Sequence, residues 1–177
     1  MRTVEIRRHT HRNIPHPHLS QQGVDLARHA GQGLGRFDRV MTSTMPRAFE
    51  TAIAMGYAVD EQIEHLGMMS DAVTAAIQWN AGFTARLKAA ENSPVVAQYT
   101  QVMADVLRPI VRALPDGGRA LIISHGGIVE ASAIGCLSAS TRFADDAACG
   151  YCEGARLTFD GDTVVNFELL RVEQPRA

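Results

Sequence analysis

The chain has 177 residues, a formal net charge of -2 and 46% hydrophobic residues, which predicts one globular domain large enough to bury a substantial core. The near-neutral charge argues against a protein that binds nucleic acid through many Lys and Arg contacts to phosphates. No apolar run of about 18 residues predicts a membrane span, the N-terminus lacks a signal-peptide pattern, and three cysteines are too few for a disulfide framework, so we expect a cytoplasmic protein.

The first half of the chain alternates strand and helix patterns. Val4 and Ile6 alternate with polar residues, as in a short strand. A His- and Pro-rich stretch to residue 18 predicts a loop, and Ser20 after it is a suitable helix N-cap. Pro46 stands where proline is favoured, in the first turn of a helix. The predicted elements are a strand over 3–8, a helix over 20–34, a strand over 38–43 and a helix over 46–55.

The second half begins with an irregular stretch, 57–70. The clearest amphipathic pattern lies between Tyr99 and Leu114, where apolar residues recur at spacings of three and four. Pro109 inside this pattern predicts a kink or a break. The sequence Asp160-Gly161-Asp162 predicts a hairpin turn. The predicted elements are a helix over 71–90, the amphipathic helix, a strand over 119–124, a helix over 128–137 and two strands within 154–172.

Strands that alternate with helices predict an α/β fold, with a mostly parallel sheet covered by helices on both faces. We expect a single domain over 1–177, in which the mostly helical segment 57–115 shapes the substrate pocket. The tail hairpin could offer a free strand edge to a second copy, so a homodimer stays open.

Cationic side chains and imidazoles follow three of the predicted strands, at the point where each strand ends. Arg8, His9 and Arg12 follow the first strand, Arg47 lies in the first helical turn after the second, and His125 follows the third. Ligands of open α/β sheets bind beyond the carboxyl ends of the strands, so we expect these groups to meet at one edge.

Such a cluster suits a phosphate group. Arginine binds phosphate oxygens with a planar fork of donors, and helix N-termini add backbone N–H groups. A neutral histidine has a ring nitrogen that can attack phosphorus, while a hydrogen bond on the other nitrogen fixes the tautomer. Phosphoryl transfer needs mainly positioning and charge stabilisation, which these groups can supply without a metal ion.

The segments IRRHTHR, VMTSTMPRAFETA and LIISHGGIVEA resemble, in order, three signature segments of the histidine phosphatase superfamily. The segment LSQQGVDLA is similar to a fourth, and the match runs from residue 4 to about residue 131. The resemblance implies the phosphoglycerate mutase-like fold, a three-layer α/β sandwich, and the small phosphatase branch of the family. It also implies a small phosphorylated substrate and no metal or other cofactor.

Carried over residue by residue, the resemblance assigns a role to each member of the cluster. His9 would be the nucleophile that becomes phosphohistidine. Arg8 and Arg47 would bind the phosphoryl oxygens, and Arg12 would add another phosphate contact. His125 would complete the phosphate pocket and stabilise the group being transferred.

The sequence departs from the family pattern in two places. Thr10 replaces the glycine that usually follows the nucleophile, which puts the geometry of that loop in question. The general acid for the leaving group has no matching motif. Glu64 fits best, and Glu61 and Asp71 are the alternatives.

Other interpretations stay open. A metal-dependent hydrolase could use His9, His11 and His125 as ligands, and a phosphate-binding protein without catalysis could use the same fold. Mutase activity is a weaker expectation, since mutases of this family are longer. Cys149 and Cys152 in the segment CGYC are expected to be ordinary thiols, because they precede a strand and not a helix. Glu130 is expected to have a structural role on its helix.

Overall fold

The computed structural model describes residues 1–138, 140–143 and 147–173. Within these ranges the chain forms one six-stranded sheet with helices on both faces. The strands are β1 (Arg2–Arg8), β2 (Arg39–Thr42), β3 (Glu61–Gln62), β4 (Arg119–Ser124), β5 (Gly154–Asp160) and β6 (Thr163–Leu170). The helices are α1 (Gln21–Gly31), α2 (Pro46–Ala54), α3 (Asp71–Ala76), α4 (Phe83–Asn92), α5 (Pro94–Ala113) and α6 (Ile128–Cys136), and a short 3-10 helix spans Glu64–Gly67.

The strands are ordered β3-β2-β4-β1-β5-β6 across the sheet. The first four in this order run parallel to one another, whereas β5 runs antiparallel to both β1 and β6. Arg8 pairs with Ser124, and Thr42 pairs with Ile123. The carboxyl ends of β1, β2 and β4 therefore lie side by side at one edge, as the predicted mostly parallel sheet requires.

Strand β4 shows how the two hydrophobic cores are divided. Leu121 and Ile123 pack with the apolar side chains of α1 and α2, whereas Ile122 packs with those of α5 and α6. All three side chains are fully buried. A strand buried on both faces reads as a continuous apolar run, and this arrangement is the three-layer α/β sandwich that was predicted.

The helical segment differs from the prediction in detail. The helix predicted over 71–90 is divided into α3 and α4, and Asn80 in the turn between them has a φ of 62°. Of the kink or break predicted at Pro109, the break is wrong, because α5 continues through this residue. Pro109 is exposed, so water can satisfy the carbonyl group that lacks a partner there.

The stretch 57–70, predicted to be irregular, holds the short strand β3 and the 3-10 helix. Two strand residues are too few to give a detectable alternation. Helix α1 is also shorter than predicted and ends at Gly31. None of the helices in the described ranges is long and apolar enough to cross a membrane.

Candidate active site

Backbone hydrogen bonds hold the three strand ends together. The N–H group of His9 donates to the carbonyl of Ser124 at 2.8 Å, and the N–H group of Ser43 donates to the carbonyl of Ile123 at 3.0 Å. As a result, the ring centroids of His9 and His125 lie 5.0 Å apart. The structure thus places the ends of β1, β2 and β4 around one point.

His9 is held on both ring nitrogens. Its Nδ1 lies 2.6 Å from the carbonyl oxygen of Thr10, and Nε of Arg47 donates to its Nε2 at 3.1 Å. This pattern requires the proton on Nδ1 and the lone pair on Nε2. Burial, opposed by the hydrogen bond to Thr10 and reinforced by Arg47 and Arg8, lowers the pKa of His9 to about 4. The imidazole is therefore neutral at pH 7, and its Nε2 lone pair becomes free to attack once a bound phosphate takes over the hydrogen bond from Arg47.

Arg8 is held beside His9 by the ring of Tyr151 and the carbonyl group of Cys149. Its Cζ lies 4.6 Å from the ring centroid of Tyr151, and its Nη1 donates to the carbonyl of Cys149 at 3.0 Å. Its Nε is buried and has no hydrogen-bond partner among the described residues. A Cβ at Gly126 would lie 3.2 Å from Cζ of Arg8, so glycine allows the guanidinium to rest against the backbone.

His125 and Ser43 form the opposite wall. Nε2 of His125 lies 2.7 Å from Oγ of Ser43, which also accepts the N–H group of Met45 at 3.3 Å. Burial, with smaller contributions from the neighbouring His9 and Arg47, lowers the pKa of His125 to about 3. This second imidazole is therefore neutral as well.

Arg47 lies in the first turn of α2, directly after Pro46. Burial, together with the nearby Arg12, lowers the pKa of the Arg47 guanidinium. The hydroxyl group of Thr51 donates to the carbonyl of Arg47 at 2.6 Å and accepts the N–H group of Thr10 at 3.2 Å. Helix α2 is therefore tied to the loop that carries His9.

A cavity of about 300 Å³ opens in front of these groups, a size that suits a small ligand. Its polar lining is mostly cationic or imidazole. The residues that line it are Arg8, His9, Arg12, Ile14, Arg47, Trp79, Asn80, Arg86, His125, Gly126, Gly127, Glu130, Ala148, Cys149 and Tyr151. Such a lining is electrostatically complementary to an anion.

Thr10 takes its place without backbone strain. Its φ is not among the positive values in the structure, so the left-handed conformation that would favour glycine is not needed here. Thr10 is fully buried. Its carbonyl and N–H groups make the contacts to His9 and Thr51 described above, so the loop geometry tolerates threonine.

The structure does not bring the three candidate acids to the cavity lining. Glu64 is exposed at the start of the 3-10 helix, Glu61 forms an exposed ion pair with Arg39, and Asp71 begins α3 at an exposed position. Glu130 does line the cavity. Its two carboxylate oxygens accept backbone N–H groups, from Gly127 at 2.7 Å and from Cys149 at 3.0 Å.

Several lining residues have no counterpart in the sequence prediction. Arg86 and Asn80 come from α4 and the α3–α4 turn, where the sequence shows no motif. Tyr151 lies inside CGYC, where the cysteines were the residues considered for reactivity. Burial raises the pKa of both Cys149 and Cys152, which agrees with unreactive thiols.

The other histidines of the first loop lie apart. The ring of His11 packs on Tyr151 with centroids 4.1 Å apart. His16 and His18 are exposed and outside the cavity lining. Among the described residues, no group of three His, Cys, Asp or Glu side chains is placed to hold a metal ion.

A family model described as "Histidine phosphatase superfamily (branch 1)" matches residues 3–171. A search of curated proteins finds no significant match. Among solved structures, the chain is similar to a phosphoserine phosphatase from Entamoeba histolytica in complex with 3-phosphoglyceric acid. The TM-score is 0.68 at 15% identity, over 98% of this chain and 99% of that one.

Two further structures share the fold. The protein histidine phosphatase SixA, complexed with tungstate, matches with a TM-score of 0.63 at 17% identity, over 95% of this chain and 96% of that one. A phosphoglycerate mutase from Bacillus anthracis str. Sterne matches with a TM-score of 0.60 at 17% identity, over 97% of this chain and 91% of that one. At these identities the similarity establishes the phosphoglycerate mutase-like fold.

Proposed function

Because the chain belongs to branch 1 of the histidine phosphatase superfamily, we propose that it hydrolyses a small phosphate monoester through a phosphohistidine intermediate on His9. The reaction needs no metal ion. Arg8, Arg12 and Arg47 bind the phosphoryl oxygens, and His125 stabilises the transferring group.

The observation that carries this proposal is the hydrogen bonding of His9. Its Nδ1 proton is directed to the carbonyl of Thr10 and its Nε2 faces Arg47. A phosphate bound by the guanidinium of Arg47 is thereby held next to a nucleophilic lone pair. Arg8, with its unpaired buried Nε, supplies a second cation for the same phosphate.

The reaction has two displacement steps at phosphorus. First, Nε2 of His9 forms a bond to phosphorus while the bond to the leaving oxygen breaks, and the leaving group departs with that electron pair. Water then attacks the phosphohistidine, loses a proton to solvent and releases inorganic phosphate, which returns His9 to its neutral form. Both transition states concentrate negative charge between the same arginines.

Protonation of the leaving group decides which substrates react fastest. Glu130 is the carboxylate in the described cavity lining, and backbone N–H groups already occupy both of its oxygens. Glu64, the acid favoured by the sequence, would have to approach from its exposed position at the start of the 3-10 helix. A phenolate departs as a stable anion and needs no proton from the protein, so an aryl phosphate is the most suitable first substrate.

The test is turnover of an aryl phosphate by the wild type and by His9→Ala, each with and without a chelator. We expect the wild-type rate to survive chelation and the rate of His9→Ala to fall by at least about a thousandfold. His16→Ala is the matched control, since His16 is exposed and outside the cavity lining, and it should keep the wild-type rate.

A rapid alkaline quench during turnover should yield a phosphorylated peptide that contains His9. Loss of activity on chelation would instead support a metal-dependent hydrolase that uses His9, His11 and His125. Binding of inorganic phosphate without turnover of any ester would support a binding protein that lacks the catalysis.

A further inference from the structure

Arg86 is a buried cation, and two of its nitrogens have no hydrogen-bond partner among the described residues. It lies on α4, its relative exposure is 5%, and it lines the active-site cavity. Its Nε and Nη1 have no hydrogen-bond partner within the described part of the chain. Burying a guanidinium without acceptors is costly, so these donors are expected to serve a ligand that enters the cavity.

The immediate surroundings hold the guanidinium in place without neutralising it by a hydrogen bond. Its Cζ lies 5.9 Å from the ring centroid of Trp79. The nearby charge of Glu130 opposes the effect of burial, which lowers the pKa of Arg86. The oxygens of Glu130, however, accept the backbone N–H groups of Gly127 and Cys149. Within the described residues, Nε and Nη1 of Arg86 thus have no acceptor, and an anion in the cavity can supply one.

Two adjacent glycines lie beside Arg86 and beside Arg8, the arginine proposed to bind the reacting phosphate. A Cβ at Gly126 would lie 3.2 Å from Cζ of Arg8, and a Cβ at Gly127 would lie 3.7 Å from Nη2 of Arg86. Arg8 and Arg86 thus border neighbouring residues whose Cα atoms are about 3.8 Å apart. Both guanidiniums also line the same cavity, so one ligand in that cavity can lie near both.

We propose that Arg86 binds a second anionic group, a carboxylate or a phosphate, on the leaving-group side of the substrate. The inference rests on the proposed function, in which Arg8, Arg47 and His9 hold the phosphate that reacts. Arg86 is then the residue that selects small substrates with two anionic groups over phosphate esters of neutral alcohols.

The experiment compares three phosphonates, which bind like phosphate esters but are not hydrolysed. Propylphosphonate, 3-phosphonopropanoate and ethane-1,2-bisphosphonate end the same two-carbon arm in a methyl group, a carboxylate and a second phosphonate. Calorimetry gives their Kd values for the wild type. We expect the two compounds with a second anion, or the one that carries the anion Arg86 prefers, to bind about 10- to 100-fold more tightly than propylphosphonate.

Arg86→Met should reduce this preference to within about threefold, because the 10- to 100-fold difference in Kd is roughly what hydrogen bonds to one charged group contribute. Arg86→Lys, which keeps the charge but loses the fork of donors, should retain part of it. Lys88→Met is the matched control, since Lys88 is an exposed cation on the same helix, and it should behave as the wild type.

Equal binding of all three phosphonates by the wild type would overturn the inference. So would a preference that persists in Arg86→Met, or an equal loss of affinity for all three compounds with a lower Tm, which would indicate a purely structural role. Aryl phosphate turnover by the same samples reports separately on the proposed function. Turnover without a preference refutes only the role of Arg86, and a preference without turnover refutes only the catalysis.

Discussion

His9 is the side chain on which the chemistry depends, and its protonation state can be observed directly. Burial and the neighbouring arginines lower its pKa to about 4, against an ordinary value of 6.5. NMR of the imidazole carbons and nitrogens should show the neutral Nδ1-protonated tautomer from pH 8 down to about pH 5. Titration should follow only near pH 4, where the imidazolium forms and the nucleophile is lost.

The same titration tests the contribution of Arg47. Removing this cation in Arg47→Met relieves repulsion of the imidazolium, so the pKa of His9 should rise toward its ordinary value. Arg28→Met, at an exposed position on α1, should leave the titration of His9 unchanged. A wild-type midpoint near 6.5 would show that water reaches His9 and that the imidazole is not held neutral by its surroundings.

The sequence could locate the residues around His9 because each lies at the end of a strand within a local pattern. Arg8, Arg47 and His125 needed only the prediction that three parallel strands end at one edge. Arg86 and Tyr151 could not be found in this way. They reach the cavity through the packing of α4 and of the segment before β5, which no local pattern encodes.

At the scale of the elements, helix α1 supports the loop that follows β1. Gly23 lies in the first turn of α1, where a Cβ would stand 2.1 Å from the carbonyl oxygen of His11 and 3.2 Å from Cγ2 of Thr10. The carbonyl of His11 also accepts the N–H group of Ser20 at 3.2 Å. This close approach explains the glycine in LSQQGVDLA, because any side chain would push the backbone away.

Gly23→Ala should therefore lower both activity and stability. Alanine favours helix formation by up to about 1 kcal/mol over glycine, but a clash with backbone cannot be relieved by turning a side chain. We expect a net loss of about 1 to 3 kcal/mol in the free energy of unfolding. The displaced loop should lower kcat/KM for an aryl phosphate by about 10- to 100-fold.

Urea denaturation and steady-state kinetics measure the two effects of Gly23→Ala. Gln22→Ala is the control in the same turn, since Gln22 is exposed and its replacement should change neither quantity. A fully active Gly23→Ala protein would mean that α1 can shift without moving His9 and Arg12.

Sequence patterns predicted some element boundaries correctly and missed others. Strand β4 and the β5–β6 hairpin are as predicted, because a continuous apolar run and an Asp-Gly turn are strong local signals. The division between α3 and α4 was missed, since it depends on the backbone of Asn80 in a turn that lines the cavity. A kink or break was predicted at Pro109 because the sequence does not show that this side of α5 is exposed to water.

At the scale of the whole molecule, a charge cluster around a buried carboxylate joins three strands of the sheet. Glu5 on β1 is fully buried. Its Oε2 accepts a hydrogen bond from Nη2 of Arg7 at 2.9 Å. Its Oε1 accepts one from Nη2 of Arg119 on β4 at 2.9 Å and one from Nε of Arg156 on β5 at 3.1 Å. The alternation of apolar and polar residues predicted β1 correctly, but the polar face of this strand does not face solvent. Glu5 and Arg7 on that face are buried.

Burial alone would raise the pKa of Glu5, but Arg7, Arg156 and Arg119 outweigh it and lower the pKa. The carboxylate is thus ionised in the folded protein and is the common acceptor for three guanidiniums. Its removal leaves cations facing one another in the centre of the sheet, which is more damaging than loss of an exposed pair.

Glu5→Gln keeps the size of the side chain and removes its charge. We expect it to lower the free energy of unfolding by about 3 to 5 kcal/mol, as for other buried pairs that lose one partner. Linear extrapolation of urea denaturation measures this loss. The control is Asp162→Asn in the β5–β6 turn. It removes the charge of an exposed ion pair with Arg112 of α5 and should leave the unfolding midpoint unchanged. Equal stability of the two variants would show that the arginines around residue 5 are hydrated, and that apolar packing alone holds β1 between β4 and β5.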